Sequence, residues 1–118
     1  MPSASPSRGD VFVALLDPTR GSEQAGSRPV IIVSRDAINE NSSVVVCVPC
    51  TNAANCSRVY PSQLLLRKGT GGLGLDSVAM CEQVRAITKE RLAKRLGVLD
   101  SQSMSALEDR LRITLDLS

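Results

Sequence analysis

The sequence predicts an α+β protein, a small twisted antiparallel sheet curled into a barrel with helices gathered at the C-terminal end. Short β-branched apolar segments recur through most of the chain, and clusters of turn residues separate them. Beyond residue 100 the apolar residues switch to spacings of three and four.

Residues 10–16 (DVFVALL) are apolar on both faces and β-branched at alternate positions, which suits a strand buried inside a barrel. Residues 29–34 and 43–48 read the same way, and Val44, Val45 and Val46 are the strongest strand signal in the chain. Asn39, Glu40, Asn41 and Ser42 form a turn cluster between them. Pro49 should end the third strand or place it at an edge. Residues 51–57 are polar and irregular, and 63–66 make a short strand. Lys68-Gly69-Thr70-Gly71-Gly72 is a flexible loop, followed by a strand from about residue 77 to 87. Thr88 is expected to cap a short helix over 89–96, with Gly97 as its stop. Asp100 or Ser101 caps a final helix with Met104, Leu107, Leu111 and Leu115 on one face. This reading gives five or six strands and no internal repeat.

A length of 118 residues supports one domain, taken as residues 8–118 behind a Ser/Pro-rich tail, 1–7, expected to be disordered. Apolar residues make up 42% of the chain but aromatics only 2%, so the core must be built from Val, Leu and Ile. Phe12 and Tyr60 are the aromatics, too few for a base-stacking platform; nucleic-acid binding would rest on charge, hydrogen bonds and at most one of these rings. The net charge of +2 allows a localised basic cleft and little more. The absence of His excludes an imidazole base or ligand. No apolar run approaches the roughly 20 residues of a membrane helix. A cytoplasmic protein with reduced thiols is the expectation.

The loop between the first two strands carries more functional groups than a connection needs: Arg20, Glu23, Gln24 and Arg28, punctuated by Pro18, Gly21, Gly26 and Pro29. Connections beyond about 12 residues in compact domains are usually functional or disordered, and strands bracket this one closely. Arg28 precedes Pro29, which biases it to extended backbone. It is either a rim residue in a surface ion pair or a planar guanidinium aimed at a phosphate. Thr51 is either a turn hydroxyl or a donor to a phosphate oxygen. Glu23 is either a solvated acid paired with Arg20 or Arg28, or a base whose pKa has been raised.

The ordered pattern Arg8-Gly9-Asp10, Asp17-Pro18, Gly21-Ser22-Glu23-Gln24 and Gly26-x-Arg28-Pro29-Val30 resembles the opening of the MazF/PemK family of toxin endoribonucleases. The resemblance continues at Val48-Pro49-Cys50-Thr51, Asp76-Ser77-Val78, Glu82-Gln83-Val84-Arg85 and Lys89-x-Arg91-Leu92. It covers nearly everything from Arg8 onward, least so at 53–73. It implies an SH3-like barrel with a C-terminal helix. It also implies an endoribonuclease toxin of a type II toxin–antitoxin system, with no cofactor and no metal. Such an enzyme cleaves single-stranded messenger RNA by 2′-OH attack, leaving a 2′,3′-cyclic phosphate and a 5′-OH.

The resemblance makes Arg28 and Thr51 catalytic partners. Arginine is protonated at neutral pH and a poor general base, so Arg28 is assigned to charge stabilisation and proton donation, and Glu23 is the candidate base. Ser22, Gln24, Glu82 and Gln83 match positions near the RNA groove, where Gln and Glu can read base edges. The PemK branch has His, Arg and Asp where Ser22, Met80 and Glu82 stand here, so the chain fits the MazF-like branch. A homodimer and a MazE-like antitoxin with an extended acidic segment are implied partners.

Rival readings come from other classes. Cys47, Cys50, Cys56 and Cys81 could be four zinc thiolates, but Cys47 and Cys50 lie three apart on a strand and so face opposite sides. A gyrase poison of the CcdB type shares the fold but acts through a C-terminal Trp, which is absent from Leu115-Asp116-Leu117-Ser118. The last rival is a barrel that binds RNA without turnover.

Overall fold

The computed structural model describes residues 5–16 and 26–118. Seven strands and two α-helices lie among them. They are β1 (Asp10–Leu16), β2 (Gly26–Ile32), α1 (Asp36–Asn41), β3 (Val44–Asn52), β4 (Gln63–Leu66), β5 (Ser77–Met80), β6 (Arg85–Thr88), β7 (Leu92–Val98) and α2 (Ser101–Leu115). All pairings are antiparallel, in the order β4-β5-β3-β2-β1-β7, with β6 also on β3. No described helix is long and apolar enough to cross a membrane.

The sheet is apolar on both faces because both are covered. Val11, Ile31, Val48, Cys50 and Ala79 join Leu107 of α2 in one core. Ala14, Val30, Ile32, Val45, Cys47 and Ile87 form a second core on the other face. Alternation along β2 and β3 deals successive residues to the two cores, so Cys47 and Cys50 do face opposite sides.

The centre of the fold is β3. One flank pairs with β2 through residues 47–49. The other pairs first with β6 through 44–47 and then with β5 through 50–52. Pro49 therefore does not end the strand, which continues to Asn52. It sits where the second flank changes partner, a local edge that tolerates a missing N–H. The expected single strand at 77–87 is broken at the same place. Between its pairings at Ala79 and Arg85 the chain leaves the β3 ladder and forms a 3₁₀ turn, Cys81–Gln83. That turn carries Glu82 and Gln83 out of the sheet.

Two further expectations are corrected. The polar cluster at 39–42 belongs largely to α1 rather than to a turn, because Asn39 is fully buried and donates to the Ser34 carbonyl (2.9 Å). The helix expected over 89–96 is a 3₁₀ turn, Lys89–Arg91, followed by β7. Residues 92–98 cover the open edge of β1, from Ala14↔Leu92 to Asp10↔Val98, and this pairing overrides their helical propensity. Gly97 is a close approach rather than a helix stop: a Cβ there would lie 2.8 Å from the Gly71 carbonyl oxygen.

The terminal helix forms as expected. Asp100 caps it by accepting from Ser103 N (2.7 Å), a bond that holds the Asp100 carboxyl below its ordinary pKa. Leu107 is buried and Met104 and Leu111 pack beside it, whereas Leu115 remains exposed. Arg8 ties the start of the chain to both helices, donating from its backbone N to Asp36 (2.8 Å) and pairing with Glu108 (2.8 Å).

Candidate active site

Arg28 and Thr51 come from different strands and line one cavity of about 220 Å³. Arg28 enters on β2, opposite Ala14, at the point where the first connection rejoins the sheet. Thr51 is near the end of β3, paired with Val78 and buried, with 8% exposure. The walls are completed by Pro29, Cys50, Asn52, Ser77 and the segment Leu73-Gly74-Leu75. Hydrogen bonds stiffen these walls. Asn52 Oδ1 accepts from Ala54 N (3.0 Å), Ala53 N donates to the Asp76 carbonyl (2.9 Å), and Asp76 Oδ1 accepts from Lys68 N (2.7 Å).

No described residue lining this cavity is a carboxylate. The candidate base Glu23 and the candidate contacts Ser22 and Gln24 lie outside the described residues, in the connection whose ends meet at Leu16↔Gly26. Cys50 is no substitute, because burial pushes its thiol up to about 12. Burial does the same to Cys47 and Cys81, each at about 12.

Glu82 and Gln83 lie elsewhere, on the 3₁₀ turn, where they border a groove of about 800 Å³ with Tyr60, Gln63, Met80 and Ile113. Glu82 accepts from Gln63 Nε2 (2.7 Å) and Ser62 Oγ (3.2 Å). Thr51 pairs with Val78 and Gln63 with Met80, so cavity and groove residues share one face of the β3–β5–β4 sheet. Sequence reasoning missed Ser62 and Gln63, since nothing local marks them; only the β4–β5 register brings them to Glu82.

Residues 7–115 match the family of PemK-like, MazF-like toxins of type II toxin–antitoxin systems. The chain belongs to that family. Endoribonuclease MazF9 of Mycobacterium tuberculosis is 38% identical over 115 residues, covering 93% of this chain and 96% of the relative. Among solved structures, MazF of Deinococcus radiodurans superposes with a TM-score of 0.81 at 22% identity, covering 97% of this chain and 99% of its own. A mycobacterial endoribonuclease in complex with its cognate antitoxin gives a TM-score of 0.77 at 24% identity, covering 97% and 98%. The antiparallel sheet, short helices and C-terminal helix of this MazF-like toxin are thus the fold of those structures. It is a type II toxin of the endoribonuclease class.

Proposed function

We propose that this MazF-like toxin cleaves single-stranded messenger RNA at short sequences in the cytoplasm, without a metal ion. The observation that carries the reading is the shared cavity of Arg28 and Thr51. A guanidinium and a hydroxyl converging on one small hollow suit a phosphate whose charge builds up in the transition state. The ribose 2′-oxygen loses its proton to a base, attacks the adjacent phosphorus and displaces the 5′-oxygen, which is protonated as it leaves. The products are a 2′,3′-cyclic phosphate and a 5′-OH. Arg28 stabilises the developing charge and supplies the leaving-group proton, and Thr51 donates to a non-bridging oxygen. Glu23 is the candidate base, because a protonated arginine is a poor one. Ser22, Gln24, Glu82 and Gln83 contact the RNA along its groove.

The working form is a homodimer, inhibited by an antitoxin whose extended acidic segment covers the RNA path. The mycobacterial structure with its cognate antitoxin and the MazE–MazF structure from Deinococcus radiodurans support the expectation of an antitoxin partner.

The deciding experiment incubates the protein with a long single-stranded RNA in EDTA, beside Arg28→Ala, and maps the new ends. Discrete cuts with 5′-OH ends, absent in the variant, are expected. No cutting by folded wild-type protein on several RNAs would overturn the reading and favour a CcdB-type action on gyrase or a non-catalytic barrel.

A further inference from the structure

The groove beside Glu82 is organised around one buried side chain. Gln63 is 6% exposed, and both ends of its amide are engaged. Its Oε1 accepts from Tyr60 N (3.1 Å) and its Nε2 donates to Glu82 Oε2 (2.7 Å). A backbone N–H can only donate, so the amide oxygen must face Tyr60 and the NH₂ must face Glu82. Ser62 Oγ donates to the other Glu82 oxygen (3.2 Å), and Arg110 Nε of α2 holds the Gln63 carbonyl (2.9 Å). An exposed carboxylate is thereby held in one orientation at the groove. The half-exposed Tyr60 ring also borders it, steadied by the Arg58 guanidinium 4.7 Å from its centroid, and Ile113 adds an apolar edge.

A ligand for this arrangement needs a flat π face for Tyr60 and N–H donors on its edge for a carboxylate that only accepts. Guanine presents N1–H and N2–H₂ side by side, one donor for each oxygen. Uracil presents two carbonyls around a single N–H and leaves the carboxylate facing acceptors. We propose that the groove is a guanine-selective nucleotide subsite, in which Tyr60 stacks on the base, Glu82 reads its N1/N2 edge and Gln63 positions Glu82. The proposal rests on the RNA-cleaving reading and assigns a base to it.

Tyr60 is the sole tyrosine and there is no Trp, so intrinsic fluorescence reports directly on this ring. The test titrates the full chain with 2′-O-methyl hexauridine and with the same oligomer carrying one guanine; neither can be cleaved, because the 2′-oxygen is blocked. The guanine oligomer is expected to quench Tyr60 with at least about tenfold tighter affinity. The exposed, isosteric Glu82→Gln should erase that preference. Gln63→Leu should reduce the preference as well, which a purely structural role would not do selectively. Equal affinities, or a preference that survives Glu82→Gln, overturn the subsite. No quenching by either oligomer, from a preparation that cuts long RNA, overturns the subsite and leaves the ribonuclease standing. A folded protein that neither binds nor cuts overturns both.

Discussion

Gly72 and Leu96 approach so closely that a Cβ on residue 72 would lie 2.1 Å from the Leu96 carbonyl oxygen. Gly72 also has φ +81°, a conformation that side chains rarely adopt. The contact seats the loop before β5 against β7. The chain runs directly from it into Leu73, Gly74 and Leu75, which wall the Arg28–Thr51 cavity. Backbone packing outside the cavity therefore sets part of its shape.

Gly72→Ala should destabilise the protein by about 3 kcal/mol or more, combining backbone strain with a clash that only main-chain movement relieves. Gly69 is the control, because it has φ +94° but a Cβ added there would meet nothing within 4 Å. Gly69→Ala should cost only the strain, about 1 kcal/mol. Urea unfolding of the two variants checks this, and equal losses would show that the Leu96 contact carries no weight.

Thr51 can be tested without changing its shape. Thr51→Val removes the hydroxyl and should lower the cleavage rate by about a hundredfold or more, the usual effect of losing one transition-state donor. Thr51→Ser should keep most of the activity. Single-turnover rates with circular dichroism on both variants decide it; a fully active Thr51→Val removes Thr51 from the mechanism.

Asn39 is fully buried, and its amide bridges the loop after β2 to α1. It donates to the Ser34 carbonyl (2.9 Å) and Asp36 Oδ1 (3.3 Å), and Ser34 Oγ donates to its Oδ1. Ser34 Oγ in turn accepts from Val46 N (3.0 Å). Asn39→Ala strands these groups and should cost about 1–3 kcal/mol. Combined with Ser34→Ala, the loss should be smaller than the sum of the single losses, because the two residues act as a pair. A double-mutant cycle in urea measures the coupling.

Cys47, Cys50 and Cys81 are buried, whereas Cys56 is partly open. A thiol reagent should modify Cys56 alone in the native state and all four cysteines in denaturant. The raised thiols also set a pH dependence. Below the ordinary value of 9.0 both folded and unfolded thiols are protonated, and there is no effect. Between there and about 12 the unfolded chain releases protons that the folded chain keeps, so stability falls as pH rises. The slope is about 1.4 kcal/mol per pH unit for each such thiol. Urea midpoints from pH 8 to pH 11 should show the decline, and Cys47→Ala should make it shallower by about a third.

Much of the site was legible because its residues stand in an ordered local pattern. Arg28 before Pro29 and Thr51 after Pro49-Cys50 were singled out by the family resemblance rather than by residue type alone, and the fold brings both to one cavity. Gln63 was not legible, since its importance lies in hydrogen bonds to residues at both ends of a groove. The terminal helix was legible because its cap and apolar stripe are both local signals. The strand at 92–98 was not, because its segment reads equally well as a helix until β1 offers it an edge.

The sequence by itself determined the strand positions with the strongest β-branched character, the terminal helix and the ordered family pattern. These follow from alternation, capping and residue chemistry, which act over a few residues. Tertiary structure decided where β3 changes partner, and so why the chain lifts off at Cys81–Gln83 and presents Glu82. It also turned residues 92–98 into a strand and packed Gly72 against Leu96. These outcomes depend on hydrogen-bonding edges and close contacts between segments far apart in the chain, and no local pattern encodes the free energy of such contacts.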